Sequence, residues 1–157
     1  MTVDVKTPSD LEIAVTRIFD APARMVFDAH TKPEIVQRWM LGPPGWSMPV
    51  CEIDLRVGGR YRHVWRNDAS GQQFAATGEF KEIAQPTRIV HSEAMEGCIG
   101  DSWVTLTLIE NNGRTTLTTL MRFLSKEIRD AALASGMADG MGASYDRLEQ
   151  FVFKQAA

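Results

Sequence analysis

The sequence has few of the features that identify a function directly. It has no Gly-x-Ser-x-Gly elbow, no phosphate-binding loop, no dinucleotide fingerprint and no His-Glu-x-x-His pair. Its three histidines and two cysteines are scattered without metal-ligand spacing, so we expect no metal or other cofactor. The net charge of −3 leaves no basic footprint, and we therefore expect no nucleic-acid partner.

Long apolar runs and export signals are also missing. No stretch approaches ~18 consecutive apolar residues, so we expect no membrane partner and no membrane span. Residues 1–10 have no apolar run, unlike a secretory signal, and we expect a cytoplasmic protein. Cys51 and Cys98 are then expected to be reduced and partly buried. The length of 157 residues predicts a flexible tail at 1–10 and a single domain at 11–157.

The periodicity of the chain predicts an α+β fold. A first strand at 11–19 is followed by two short helices, and Thr31 with Glu34 has the spacing of a capping box at the second helix. Six further strands with short turns are predicted at 48–55, 61–66, 74–83, 88–93, 102–110 and 115–124. Asn112-Gly113 indicates a tight hairpin between the last two strands.

The end of the chain changes to a helical period. Ser125 is predicted to cap a helix over 126–134, and Ser135-Gly136 interrupts it. Apolar residues then recur at spacings of three and four from Met137 to Val152, which predicts one face of an amphipathic helix. An antiparallel sheet with one apolar face and a striped helix are expected to pack on each other.

One strand alternates in a way that predicts the wall of a cavity. Between positions 60 and 66, arginines that require water alternate with Tyr61, His63 and Trp65. An ordinary sheet core prefers Val, Ile and Leu on its inner face. Three large side chains with hydrogen-bonding tips are more typical of a ligand pocket than of a dry core.

Soft apolar side chains elsewhere complete this candidate site. Methionine adapts to irregular partners, and Gly140 between two methionines leaves room beside the predicted helix. Each such residue taken singly is typical of a core, but together they favour an apolar pocket with a few polar tips. The predicted ligand-binding residues are Trp39, Tyr61, His63, Trp65, Met121, Met137, Met141 and Tyr145.

The histidines and carboxylates have structural as well as catalytic interpretations. His63 is either a general base or ligand anchor, or a half-buried histidine bonded to a neighbour, and we favour the second. His91 lies on a strand whose inward face is ambiguous, and His30 is expected to be solvated at a helix end. Glu52 and Asp54 share a strand face, and Asp54 is expected to brace the following turn with Arg56 or with the Gly58-Gly59 amides.

The order of elements and a set of short motifs resemble a known superfamily. The motifs are Arg17-Ile-Phe19, Ala21-Pro22, Val26-Phe27, Pro33-Glu34, Arg38-Trp39, Asp54-Leu-Arg-Val-Gly-Gly59, Gly78-Glu-Phe80, Pro86, Arg88-Ile-Val90, Gly113, Thr115-Thr-Leu-Thr118, Gly140 and Leu148. Together they resemble the START-like or SRPBCC superfamily, and within it the group related to the C-terminal domain of the activator of the heat-shock-protein-90 ATPase. The resemblance implies the helix-grip fold: a curved antiparallel sheet of about seven strands around a long C-terminal helix, with two short helices after the first strand.

Three functions remain open from the sequence. The leading prediction is a binding protein for a small hydrophobic molecule, held between the sheet and the C-terminal helix. The second is an interaction module that stimulates a chaperone ATPase, as the family name implies. The third is a cyclase-like or hydrolase-like enzyme, which requires an acid–base pair such as His63 with Glu52. No catalytic residue is assigned, and the exposed sheet edges leave a homodimer open.

Overall fold

In the computed structural model, which describes residues 3–97 and 100–154, an eight-stranded antiparallel sheet curves around a C-terminal helix. The strands are β1 (Asp4–Lys6), β2 (Glu12–Phe19), β3 (Trp46–Ile53), β4 (Arg60–Asn67), β5 (Gln73–Ala84), β6 (Arg88–Met95), β7 (Ser102–Asn111) and β8 (Arg114–Arg122). The helices are α1 (Ala23–Thr31), α2 (Pro33–Trp39), α3 (Lys126–Ala134) and α4 (Met137–Arg147), and α4 continues as a π-helical segment (Leu148–Phe153). This is the predicted α+β helix-grip fold.

The sheet order is β1-β2-β8-β7-β6-β5-β4-β3. Strands β3 to β8 follow one another as hairpins, and β8 then pairs with β2 in antiparallel register, with Val15 opposite Thr119. Helices α1 and α2 make the connection from β2 to β3, which lies at the far edge of the sheet. Because α1 and α2 cross from one side of the sheet to the other, they close one end of the concave face that α4 covers.

Local sequence explains most of the element ends. Asn112 and Gly113 both have positive φ, 54° and 76°, as a two-residue hairpin turn between β7 and β8 requires. The Ser125 hydroxyl accepts a hydrogen bond from the Ile128 amide and caps α3 as predicted. The predicted cap at Thr31 is wrong: this residue ends α1, and its hydroxyl donates to the Phe27 carbonyl 3.0 Å away.

Aromatic contacts hold the C-terminal helix against the sheet. The Phe19 ring meets the edges of Tyr145 and Phe153 with ring centroids 5.4 and 5.5 Å apart. Above this contact, Tyr145 stacks on Trp39 at 5.9 Å and lies 3.2 Å, oxygen to oxygen, from the Thr119 hydroxyl. Such buried aromatic pairs add about 0.5–1.5 kcal/mol each beyond the area they bury. They fix α4 above one part of the concave face.

Three further sequence predictions concern residues outside this core. Residues 4–6, inside the predicted tail, form β1 on the edge of the sheet, so the sheet has one more strand than predicted. Arg56 Nε donates to Asp54 Oδ2 at 2.8 Å, the predicted turn brace. Cys98 lies outside the described residues. Within the part of the chain that the structure describes, no helix has the length and hydrophobicity that a bilayer crossing needs.

Candidate functional site

A cavity of about 560 Å³ lies between the concave face of the sheet and α4. Sequence reasoning named eight residues for this site, and all eight line the cavity. They are Trp39, Tyr61, His63, Trp65, Met121, Met137, Met141 and Tyr145. The described lining also contains the three histidines of the chain, three of its four tryptophans and five of its eight methionines. The chain thus places most of its large half-polar and soft side chains around one space.

Strand β4 forms one wall of the cavity. Tyr61 and His63 are buried, whereas Trp65 is half-buried near the end of the strand. The Trp65 indole donates a hydrogen bond to the Met40 carbonyl at 2.7 Å and stacks on Phe74 with ring centroids 5.1 Å apart. These contacts hold the wall in one conformation, so the space in front of it is preformed.

The opposite wall is α4 together with the segment that follows α2. Met137 and Met141 are one helical turn apart and both reach the cavity. Arg147 donates to the carbonyls of Trp39 and Gly42 at 2.9 and 3.0 Å, and the Gly42 amide donates to the Ser144 hydroxyl at 2.8 Å. Residues 39–42 are therefore fastened to α4 at three points beside the cavity.

One end of the cavity is polar. Tyr61 lies there with its hydroxyl 3.0 Å from Glu93 Oε1 and 3.1 Å from His91 Nδ1. His91 Nδ1 is also 2.9 Å from the Ser92 carbonyl oxygen, which can only accept, so this nitrogen carries the proton. Burial first, and then the Glu93 carboxylate, raise the pKa of the Tyr61 hydroxyl, which therefore stays protonated and can donate to Glu93.

Burial keeps two of the cavity histidines neutral. Burial, and to a smaller extent the neighbouring His91, lower the pKa of His63 to about 4. Burial also lowers the pKa of His30 to about 4, although Nδ1 of this ring bonds the Val26 carbonyl at 2.8 Å. His30 packs edge-on against Trp39 at 4.8 Å and lines the cavity, so the expectation of a solvated histidine is wrong. At neutral pH both rings present uncharged polar edges.

The acid–base pair considered from the sequence is not assembled. Cys51 is opposite His63 across β3 and β4, and Glu52 is opposite Arg62, so Glu52 lies on the other face of the sheet. The His63 ring instead contacts Cys51, whose Sγ is 3.5 Å from His63 Nδ1. Burial raises the pKa of the Cys51 thiol to about 11, which keeps it protonated.

Sequence reasoning missed Glu93, His91 and His30 as cavity residues. The first two alternate with Ile89 and Met95 along β6, and all four side chains line the cavity. The alternation was visible, but the inner face of β6 is set by its register with β5, where Phe80 is opposite His91. For His30 the only signal was its position four residues after Val26, whose carbonyl it bonds. In residues 3–97 and 100–154, no three His, Cys, Asp or Glu side chains converge as metal ligands would.

Comparisons with known proteins agree with this architecture. Residues 20–152 match the model of a family described as Activator of Hsp90 ATPase homolog 1-like protein. A crystal structure of a Rhodobacter sphaeroides protein is 29% identical, with 100% of both chains covered and a TM-score of 0.91. The search of curated proteins gives no match.

Two more distant structures share the fold. An AHSA1-like protein from Aeromonas hydrophila is 21% identical over 88% of this chain and 92% of its own, with a TM-score of 0.73. An HSP90 activator from Plasmodium falciparum is 20% identical over 92% and 96%, with a TM-score of 0.63. At these identities the likeness shows the fold alone.

Proposed function

The chain belongs to the Activator of Hsp90 ATPase homolog 1-like family, and from this premise and the cavity beneath α4 we propose that it binds a small hydrophobic molecule. The single observation that carries the proposal is the lining of that cavity, a space of about 560 Å³ with mostly apolar walls that include aromatic and methionine side chains. Ligand pockets in proteins typically have volumes of about 300–1,000 Å³, apolar walls and a few polar groups.

An empty apolar cavity of this size lowers the stability of the folded protein, because its walls lack packing partners. Leu106 and Val104 on β7 and Met121 on β8 line it; they are already buried from solvent, but on the cavity side they lack packing partners. Walls that face empty space or water forgo those dispersion contacts. A bound molecule with an apolar body would restore them, and this gain is the main source of affinity that we propose.

The polar groups of the cavity would orient the ligand. Two of them are already held by partners within the protein: Trp65 bonds Met40, and Tyr61 bonds Glu93. Neutral imidazole edges on His30 and His63 offer further hydrogen bonds without the desolvation cost of a charge. We therefore propose that orientation is set at the end where Tyr61 lies, and that the body of the ligand extends toward Met137 and Met141.

The test uses the neutral fluorescent probe N-phenyl-1-naphthylamine. Tryptophans that line the cavity should transfer excitation to the bound probe, and we expect saturable binding with a Kd in the micromolar range. Trp65→Phe should lower the transfer, because Trp65 is in the wall. The matched control is Trp103→Phe, since Trp103 is 47% exposed and is absent from the lining.

A cavity-filling variant separates the proposed site from the surface. Replacing Met137 and Met141 together by Trp adds bulk from α4 into the cavity, and binding should weaken by about tenfold or more. Replacing Ile109, which is 63% exposed on β7, by Trp adds the same aromatic group elsewhere and should leave binding unchanged. The proposal would be contradicted if the double variant bound the probe as tightly as the wild type, or if the wild-type protein did not bind it at all.

A further inference from the structure

We propose that the ligand is a hydrophobic amine whose ammonium group binds Glu93. This inference rests on the proposed function, because it concerns the same cavity. It goes further by assigning the charge of the ligand. The proposal is based on the charged residues of the lining. Among the described residues, Glu93 is the one Asp, Glu, Lys or Arg that lines the main cavity.

The lining disfavours an anionic ligand. A carboxylate that enters a largely apolar cavity loses its hydration, and it needs a cationic partner to offset that loss. No lysine or arginine lines this cavity in the described ranges, and burial keeps His30 and His63 neutral near pH 7. A fatty acid or another organic acid would find no lysine or arginine there, and it would meet Glu93, which carries the same sign of charge.

The carboxylate of Glu93 is held in place and keeps capacity for a cation. Its Oε1 accepts the Tyr61 hydroxyl at 3.0 Å, and neither oxygen forms an ion pair within the described residues. Tyr61 in turn packs against His91 and His63, with ring centroids 5.0 Å away in each case. An ionised carboxylate has about four lone-pair sites, so a ligand N–H can bind beside Tyr61.

A second, smaller cavity makes this end more acidic. It has a volume of about 170 Å³, and Glu93 lines it together with Asp101 and Ser102. No lysine or arginine is among its described lining residues either. Glu93 therefore borders both cavities, and the described lining of neither contains a lysine or arginine that would neutralise it.

The remaining walls suit the body of such an amine. Aromatic faces attract cations because their π-systems are electronegative at the centre, by about 0.5–2 kcal/mol. Tyr61 offers such a face on β4 at the polar end, and Trp65 lies four residues further along the same wall. Met121 and Met141 provide soft apolar contacts for rings or alkyl groups.

Three ligands that share a naphthalene ring test the charge assignment. Binding of 2-naphthylmethylamine, 2-naphthylmethanol and 2-naphthoate is measured by titration calorimetry at pH 7 and low salt. We expect the amine to bind about tenfold tighter than the alcohol, as a hydrogen bond to a charged group implies. The acid should bind more weakly than the alcohol.

The variant Glu93→Gln isolates the carboxylate. Glutamine keeps an oxygen that can accept from Tyr61, so the fold of the site is retained, and binding of N-phenyl-1-naphthylamine checks this. The amine should then lose its roughly tenfold advantage while the alcohol binds as before. Glu52→Gln is the matched control, because it removes one exposed charge on the opposite face of the sheet and should change none of the three affinities.

The outcomes separate the two proposals. If the neutral probe binds in the cavity but the acid binds as tightly as the amine, or Glu93→Gln leaves the amine unaffected, the charge assignment is overturned and the proposed function stands. If neither the probe nor any of the three naphthyl ligands binds, the proposed function fails and the charge assignment fails with it.

Discussion

Among the described glycines, Gly78 on β5 is the one where an added methyl group would meet the tightest contact. It is opposite Tyr61 across β4 and β5. A Cβ atom added there would lie 1.9 Å from the Ser92 carbonyl oxygen and 2.4 Å from Tyr61 Cε2. Ordinary contacts between such atoms are about 3.5–4.0 Å, so the overlap exceeds 1 Å on both sides. Rotating a side chain cannot remove the clash with Ser92, because the atom belongs to the backbone of β6.

The expected cost of Gly78→Ala follows from that overlap. Either β6 moves away or the Tyr61 ring leaves its place, and overpacking of this kind costs about 3 kcal/mol, the upper part of its usual range. For a chain of this size, the midpoint of thermal unfolding should fall by about 6–12 °C. Urea denaturation followed by far-ultraviolet circular dichroism gives the free energy of unfolding directly.

Gly140→Ala is the matched control for this substitution. Gly140 lies inside α4, and the nearest atom to an added Cβ is Pro43 Cδ at 4.0 Å, an ordinary contact. Alanine in a helix interior is favoured over glycine by about 0.5–1 kcal/mol, so this variant should be as stable as the wild type or more stable. A Gly78→Ala protein that unfolds within about 0.5 kcal/mol of the wild type would refute the reasoning.

Two further predictions concern acidity and the attachment of α4. Because burial lowers the folded-state pKa of His30 and His63 to about 4 from 6.5, the unfolded chain binds more protons between those values. The contribution of these histidines to the free energy of unfolding should therefore be complete above pH 6.5. On acidification, the free energy of unfolding should fall by about 1 kcal/mol per pH unit per histidine. His63→Gln should flatten that slope in urea titrations, whereas stability that is constant or rises on acidification would contradict it. Arg147→Ala removes two hydrogen bonds to backbone carbonyls and should destabilise the protein by about 2 kcal/mol or more, with Arg24→Ala as the surface control; an equal loss in both would contradict the role of Arg147.

Most of the fold could be predicted because its signals are local. Alternation over 61–66 and the Asn112-Gly113 turn depend on neighbouring residues alone, and the structure confirms both. β1 could not be predicted, since a segment of only three residues, two of them charged, gains its strand conformation by pairing with β2. Thr31 failed as a cap because α1 continues to this residue and Pro33 starts the next helix two residues on.

The candidate site divides in the same way. The sequence predicted Tyr61, His63 and Trp65 because the arginines that alternate with them mark the solvent-facing side of β4. The three side chains are therefore on the inner side, where they line the cavity. Glu93 was missed because a carboxylate usually indicates an outer face, and its inward position depends on the register of β6 with both neighbours. That one residue changes the expected ligand from a merely hydrophobic molecule to a cationic one.

The most direct test of ligand binding in the cavity is methionine methyl NMR during titration with N-phenyl-1-naphthylamine. Met121 on β8 and Met137 and Met141 on α4 line the cavity, whereas Met25 on α1 and Met48 on β3 do not. We predict that the bound ring shifts the methyl signals of the first three and leaves those of Met25 and Met48 in place. Shifts confined to Met25 or Met48, or a probe that binds without moving any cavity methyl, would contradict the account.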